Sequence, residues 1–305
     1  MKPYLFKVGG FELRIYSLMY ILAFLIGIFI CLADDVAEKR GVRSRKIVED
    51  FAFTAIVSGL IGARLYYVIL RFSDYASNPI SIFKVWEGGL AIHGGIIGAF
   101  IGACIYAKKS KLNLWVLTDM GVGALMFGQF LGRFGNLANG EVHGVPTFTP
   151  LSVIFSGKFS QWWNAYQSMS LEAQAKFKPL VPWGLVFPLD TPAGVEFPNY
   201  PLHPAMLYEG FLNLIGFIIL WFYFRKKEKN PGVLTMIYLI MYAIIRTFVS
   251  TFRAEDLHIF GIRAPYLISI IMVIIGIIGI KYFNKQPEYV YVSEDEKKDD
   301  EDEDE

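Results

Sequence analysis

Arg64, His93, Arg133, Tyr208, Glu209 and Arg246 stand within or beside long apolar stretches of this 305-residue chain. A charge in such a setting is expensive and is kept where it faces a partner or a cavity. Arginine presents a planar fork of donors that matches phosphate oxygens, and it stays charged at any relevant pH. Several arginines at one depth therefore point to a bound phosphate, and between apolar helices that phosphate belongs to a lipid. The competing use of each arginine is an ion pair with Glu209 or Glu141, or snorkelling to an interface. Arg253, at a helix end, suits either use, whereas the deeper Arg246 favours function. His93 could carry a proton, although a lone histidine in an apolar helix is more often a packing hydrogen bond.

These residues need elements that hold them level. Seven apolar runs approach the ~20 residues that cross a bilayer: 13–32, 51–70, 88–107, 114–132, 204–224, 233–252 and 265–283. Each is expected to be helical, since lipid offers backbone groups no other partner. Lysine and arginine crowd three alternate loops: Lys39 to Lys46, Lys108 to Lys111, and Arg225 to Lys229. The positive-inside rule places those loops in the cytoplasm. The expected fold is an all-α polytopic membrane protein with seven transmembrane helices, N-terminus out and C-terminus in. Residues 1–12 form an outer N-terminal segment and 13–132 the first four helices. Residues 133–203 form a small extracytoplasmic head, 204–283 the last three helices, and 284–305 a disordered acidic cytoplasmic tail. At about 1.5 Å per residue, Arg64, His93, Arg133, Tyr208, Glu209, Arg246 and Arg253 all fall within ~10 Å of the outer surface. Asp119 is the exception, near the cytoplasmic end of its run. An ion or proton pathway would instead spread polar groups through the full depth.

Composition agrees. The chain is 54% hydrophobic and 19% charged, against about 25% charged in soluble domains. Its net charge of +1 hides a tail, Glu294–Glu305, with ten acids and two lysines. An ordinary soluble enzyme and a disulfide scaffold are both excluded, because Cys31 and Cys104 each lie inside an apolar run. Gly94, Gly98 and Gly102, and likewise Ala124, Gly128 and Gly132, recur every four residues. Such small faces let helix backbones approach closely. The head is rich in aromatic residues, among them Trp162, Trp163, Tyr166, Trp183, Phe187 and Phe197.

Three signatures occur in order: Trp86-Glu87-Gly88-Gly89-Leu90-Ala91-Ile92-His93-Gly94-Gly95; Gly132-Arg133-Phe134-Gly135-Asn136-Leu137-Ala138-Asn139-Gly140-Glu141, with Gly144 following; and His203-Pro204-Ala205-Met206-Leu207-Tyr208-Glu209. Together they resemble the prolipoprotein diacylglyceryl transferases over roughly residues 13–283. Tyr16 and Arg64 are similar to the family pattern as well. The resemblance implies transfer of the diacylglyceryl group of phosphatidylglycerol to the lipobox cysteine of a prolipoprotein signal peptide. A thioether forms and glycerol phosphate leaves. It implies no cofactor, no metal and no nucleic-acid partner. It also implies a multi-pass, monomeric protein of the bacterial cytoplasmic membrane, its active site facing the outer leaflet.

The carry-over assigns Arg133 and Arg246 to the lipid phosphate and His93 to thiol deprotonation. Tyr16, Arg64, Asn136, Glu141, Gly144, His203, Tyr208, Glu209 and Arg253 are assigned to substrate binding and positioning. His143 and His258 receive no role. One departure stands out. The family pattern resembles Arg-x-x-x-Glu-x-x-Arg, and here Ser250 replaces the acid between Arg246 and Arg253; Glu209 or Glu255 could supply it. The rival reading is a non-catalytic phospholipid-binding protein or lipid transporter, which explains outer-leaflet arginines but not the glycine-rich signatures.

Overall fold

The computed structural model describes residues 4–8, 11–76, 78–85, 88–254, 258–259 and 262–291. In chain order a hairpin of β1 (Tyr4–Val8) and β2 (Phe11–Arg14) leads into α1 (Ile15–Leu32) and α2 (Asp35–Lys39). Next come α3 (Arg45–Leu70), α4 (Phe72–Ala76), a 3-10 turn at Pro79–Phe83, α5 (Ile92–Lys109) and α6 (Leu114–Asn139). Four short helices follow: α7 (Leu151–Ser156), α8 (Phe159–Gln167), α9 (Leu171–Gln174) and α10 (Pro192–Glu196). Helix α11 (Ala205–Ile218) continues through a π-helical stretch, Ile219–Phe224, into α12 (Arg225–Lys227). The chain ends with α13 (Val233–Phe252), the two-residue strands β3 (His258–Ile259) and β4 (Ile262–Arg263), and α14 (Ala264–Phe283).

Among the described residues, six helices are long and apolar enough to cross a membrane: α1, α3, α6, the α11–α12 rod, α13 and α14. This makes the chain a mostly helical membrane protein. Two small hairpins qualify the all-α expectation. The third apolar run folds as the 18-residue α5 but is not among the six, since His93 at its start and Lys108 and Lys109 at its end dilute its apolar length. Helix α6 also runs seven residues past the expected exit at Gly132, so the head opens at Gly140.

The chain folds into two compact units. The first holds Met1–Gly27, Gly123–Lys227 and Met236–Tyr282. Here α1 and α6 meet through small residues: a Cβ on Gly27 would lie 3.3 Å from Ala124 Cβ, and one on Gly128 would lie 3.6 Å from Ala23 Cβ. The head closes over its own core of Val145, Ile154, Phe159, Phe187, Phe197, Leu202 and Met206, with Trp162 and Trp163 packed on it. Bridges from Pro146 to Leu202 and from Leu185 to Leu202 tie its loops to the start of α11.

The second unit holds Ile28–Val122, Glu228–Thr235 and Phe283–Glu305. Its glycine face does what the spacing suggests: Cβ atoms on Gly94 and Gly98 would each lie 2.3 Å from a carbonyl oxygen of α3, those of Gly62 and Ser58. Asp119, fully buried, accepts hydrogen bonds from the amides of Gly232 and Thr235, each 2.8 Å, and from the Thr235 hydroxyl at 2.6 Å. It thereby caps the positive end of α13. Residues 284–291, expected in the tail, belong to this unit: Tyr289 packs on its core, and Asn230 donates to the carbonyls of Phe283 and Gln286. Glu294–Glu305 lie outside the described residues.

Candidate active site

In the first unit, Arg133 and Asn136 are one helical turn apart on α6, so both point to the same side. Arg133 Nη1 donates to Asn136 Oδ1 at 3.1 Å. Asn139 ends the helix, and Gly140 at φ +65° reverses the chain. The Gly140 amide bonds the Leu137 carbonyl at 3.2 Å, and the Glu141 amide the Asn136 carbonyl at 2.9 Å. This pair is a Schellman cap, which favours glycine at the left-handed position. The reversal brings the Glu141 carboxylate back over the helix end. There it accepts from Asn136 Nδ2 at 3.5 Å and from Asn139 Nδ2 at 3.3 Å. The Asn-Gly-Glu of the signature is thus a helix stop that returns a carboxylate to the arginine's neighbour.

Helix α11 supplies the counter-charge. Gly210 faces Arg133, and a Cβ there would lie 3.2 Å from Arg133 Cβ, so α11 and α6 run close. Glu209, next to it, is fully buried. Its carboxylate accepts from Arg133 Nη2 and pairs with Arg246 Nη1 of α13 at 3.6 Å. One acid therefore ties two guanidinium groups from two helices. The arginine side chains stay 20% and 19% exposed, so each keeps an edge that a ligand can reach. The Tyr242 hydroxyl, one turn before Arg246, lies within electrostatic reach of Glu209, Arg246, Arg133 and Arg253. Tyr16 lies likewise near Glu141 and Arg133, bonds Tyr20 Oη at 2.9 Å, and packs where a Cβ on Gly135 would lie 2.5 Å from its ring.

A second knot sits beside this one. Tyr208 Oη accepts from Trp183 Nε1 at 2.9 Å and lies 3.0 Å from His203 Nδ1. The direction of this second bond follows the imidazole tautomer. Burial pushes the His203 imidazole down to a pKa of about 4, so it is neutral at ordinary pH. Gly144 is pinched between the Phe252 carbonyl, 2.7 Å from where its Cβ would be, and His203. It bridges to Arg253, which joins the head to the end of α13. His143, to which the sequence reading gave no role, is buried beside Phe187 and Phe197 and pairs with Glu196 at 3.0 Å.

Position 250, where the family pattern has an acid, is turned to another use. Ser250 is fully buried, and its carbonyl accepts from Arg263 Nη1. Glu209 is the acid that meets Arg133 and Arg246. Glu255 and the side chain of His258 lie outside the described residues.

Arg64 and His93 belong to the second unit. Arg64 is buried and gives its donors to backbone: Nε to Ile82, Nη1 to Gly88 and Gly89, Nη2 to Ser81 and Lys84. The fork expected to meet substrate is engaged with the loop that leads into α5. Gly88 and Gly89 adopt φ of +90° and +73° there. His93 is exposed in the first turn of α5, its ring 6.3 Å from that of Tyr66. Trp86 and Glu87 of the same signature lie outside the described residues.

Comparison with known proteins agrees with the signatures. The family model described as prolipoprotein diacylglyceryl transferase matches residues 3–282. The chain belongs to that family. A relative from Fusobacterium nucleatum, named phosphatidylglycerol–prolipoprotein diacylglyceryl transferase, is 51% identical over 289 residues, covering 94% of this chain and 99% of the relative. Relatives of the same name from Thermotoga maritima, at 32% identity with 92% and 84% covered, and Synechococcus elongatus, at 30% with 91% and 86% covered, extend the likeness. Family membership places the glycine-rich α6 exit, the Arg133–Glu209–Arg246 group and the His203–Tyr208 pair within a transferase.

Proposed function

We infer that this protein transfers the diacylglyceryl group of phosphatidylglycerol to a cysteine thiol of a prolipoprotein. The observation that carries the mechanism is the Arg133–Glu209–Arg246 group. In the reaction a thiolate sulfur attacks a saturated glyceryl carbon, the carbon–oxygen bond to phosphate breaks, and glycerol phosphate departs with the bonding electrons. Charge grows on the phosphate as that bond lengthens. Donors fixed in place before the reaction stabilise the transition state more than the ground state. Glu209 holds both guanidinium groups, and each side chain keeps an exposed edge, 20% and 19%, toward which a phosphate can approach. Asn136, Glu141 and Tyr16 orient Arg133, while Tyr242 lines the arginine pair. His203, held by Tyr208, is a neutral imidazole that positions this end of α11. Arg253 is a weaker contact at the helix end.

The thiol must lose its proton, and free cysteine has a pKa of about 8.5 that rises in apolar surroundings. We assign that proton to His93, whose exposed ring stands at a helix start. Arg64 holds the loop before His93. We take α5 as the third of seven spans, with the head outside and the C-terminus in the cytoplasm; the three basic loops support this orientation. The active site then faces the outer leaflet of the bacterial cytoplasmic membrane. The cysteine belongs to a lipobox, and the enzyme works as a monomer.

The test is to incubate purified protein with phosphatidylglycerol and a lipobox peptide. A thioether-linked diacylglyceryl peptide with one glycerol phosphate released per peptide is expected. Lipid binding or lipid movement without either product would favour a non-catalytic lipid protein instead.

A further inference from the structure

We propose that the acidic segment 292–305 of this chain docks on a basic end of its own second unit, formed by Arg43, Lys46, Lys108 and Lys109. That end is defined by contacts. The Tyr106 hydroxyl donates to the Ile47 carbonyl at 3.1 Å, which joins the close of α5 to the opening of α3. Lys46 precedes Ile47, and Lys108 and Lys109 follow Tyr106, so the three lysines share one end of the helix pair. All three, and Arg43, are exposed. Neighbouring cations are already matched: Arg45 pairs with Glu49 at 2.6 Å and Lys39 with Asp35 at 3.9 Å. Glu38 and Asp50 are the other acids nearby in the chain.

The chain is delivered to this end by a clasp. Asn230 holds the Phe283 and Gln286 carbonyls at 3.0 and 3.1 Å, and Lys229 pairs with Glu288 at 3.3 Å. Tyr289 packs on the unit's core. The Tyr291 ring lies over Gly41, whose absent Cβ would be 2.5 Å from it, and the Arg43 guanidinium stands 5.1 Å from the ring centre. The last described residue, Tyr291, therefore stands beside Arg43, and the acidic segment begins directly after it. Three residues of chain separate Arg43 from Lys46, at most about 10 Å. A flexible chain of fourteen residues has an end-to-end distance of about 20 Å.

Charge completes the argument. Between residues 294 and 305 stand ten acids and two lysines, a net of −8. Such a segment has no apolar side chain to bury. Exposed ion pairs are individually weak, but tethering beside the cations makes their encounter intramolecular. The family model ends at residue 282, so the part of the clasp from 283 onward and the acidic segment lie beyond the matched region.

The test is zero-length carbodiimide cross-linking of the full chain in uncharged detergent, read by mass spectrometry. At low ionic strength, bonds from acids of 294–305 to Lys46, Lys108 or Lys109 of the same molecule are expected. Their yield should fall at least ~5-fold in 1 M salt, where the screening length is about 3 Å. The double substitution Lys108→Glu and Lys109→Glu should lower the yield at Lys46, and Tyr291→Ala should lower it at all three lysines. The same bonds should persist in vesicles containing phosphatidylglycerol. Bonds only between molecules, bonds only to Lys297 and Lys298, or a yield indifferent to salt would overturn the proposal. So would their loss in anionic vesicles, which would assign this end to lipid headgroups.

Discussion

Glu209 shows most plainly what one residue can organise. Its buried carboxylate is shared by Arg133 and Arg246, and breaking a buried pair costs about 3–5 kcal/mol because the partners lose their counter-charge. Glu209→Gln should lower thermal stability by an amount of that order and cut transfer, while leaving helix content intact by circular dichroism. Unchanged stability would mean the arginines rest on other partners. His203 carries a second expectation. Burial lowers its pKa from 6.5 to about 4, so the unfolded chain binds a proton in that window and the folded one does not. Stability is therefore complete above pH 6.5 and declines as pH falls toward 4. The decline amounts to about 3 kcal/mol at 1.36 kcal/mol per unit. His203→Asn should flatten that part of the stability profile, and a profile identical to the parent protein's would refute the burial argument. The arginines were legible in the sequence because a charge in an apolar run stands out. Tyr242, Trp183 and the His143–Glu196 pair were not, since an aromatic residue in an aromatic-rich chain carries no mark and the pair is joined only by folding.

At the scale of elements, apolarity and helix extent part company. The apolar run ends at Gly132 while α6 continues to Asn139, because polar Arg133 and Asn136 face partners rather than lipid. Apolarity marks contact with lipid or core, and the stop signal is Asn139-Gly140, where the backbone turns left-handed. Gly140→Ala should destabilise by about 1–2 kcal/mol from its positive φ alone, and more because the new Cβ would lie 2.6 Å from Thr191 Cβ. It should also weaken transfer by misplacing Glu141. Thermal unfolding and transfer rate together check it, and full stability with full rate would show that the cap is dispensable. The hairpins at 4–14 and 258–263 were missed because strands of two to five residues beside long helices leave too little alternation to read.

The whole molecule was legible in outline. Periodic small residues on α5 foretold a close helix approach, though not that α3 would be its partner, and the three basic loops supplied a topology. On the proposed orientation, the head is outside and the C-terminus inside. Ser160→Cys should react with an impermeant thiol reagent from the outside only, and Ser293→Cys from the inside only. Labelling of Ser160→Cys solely from the inside would invert the proposed orientation. The boundary at residue 284 was not legible, because Tyr289 and Tyr291 act through contacts with residues far back in the chain. Deleting 294–305 should leave specific activity within about tenfold of the full chain, since twelve charged residues offer no apolar side chain to a core. A larger loss at equal protein level would give that segment a part in turnover.

The claim that matters most is that a lipid phosphate is held between Arg133 and Arg246. It is tested by transfer rate to a lipobox peptide at saturating phosphatidylglycerol for Arg133→Lys, Arg246→Lys and Arg253→Lys, each first shown to be folded. Lysine keeps the charge but lacks the fork. The first two should each lose about a hundredfold, the cost of one charge-assisted contact of ~3 kcal/mol in a dry site. Arg253→Lys should lose much less, since Arg253 stands at the end of α13, about two turns beyond Arg246 and outside the pairing with Glu209 described above. Near-normal rates for both Arg133→Lys and Arg246→Lys, or an equal loss in all three, would contradict it.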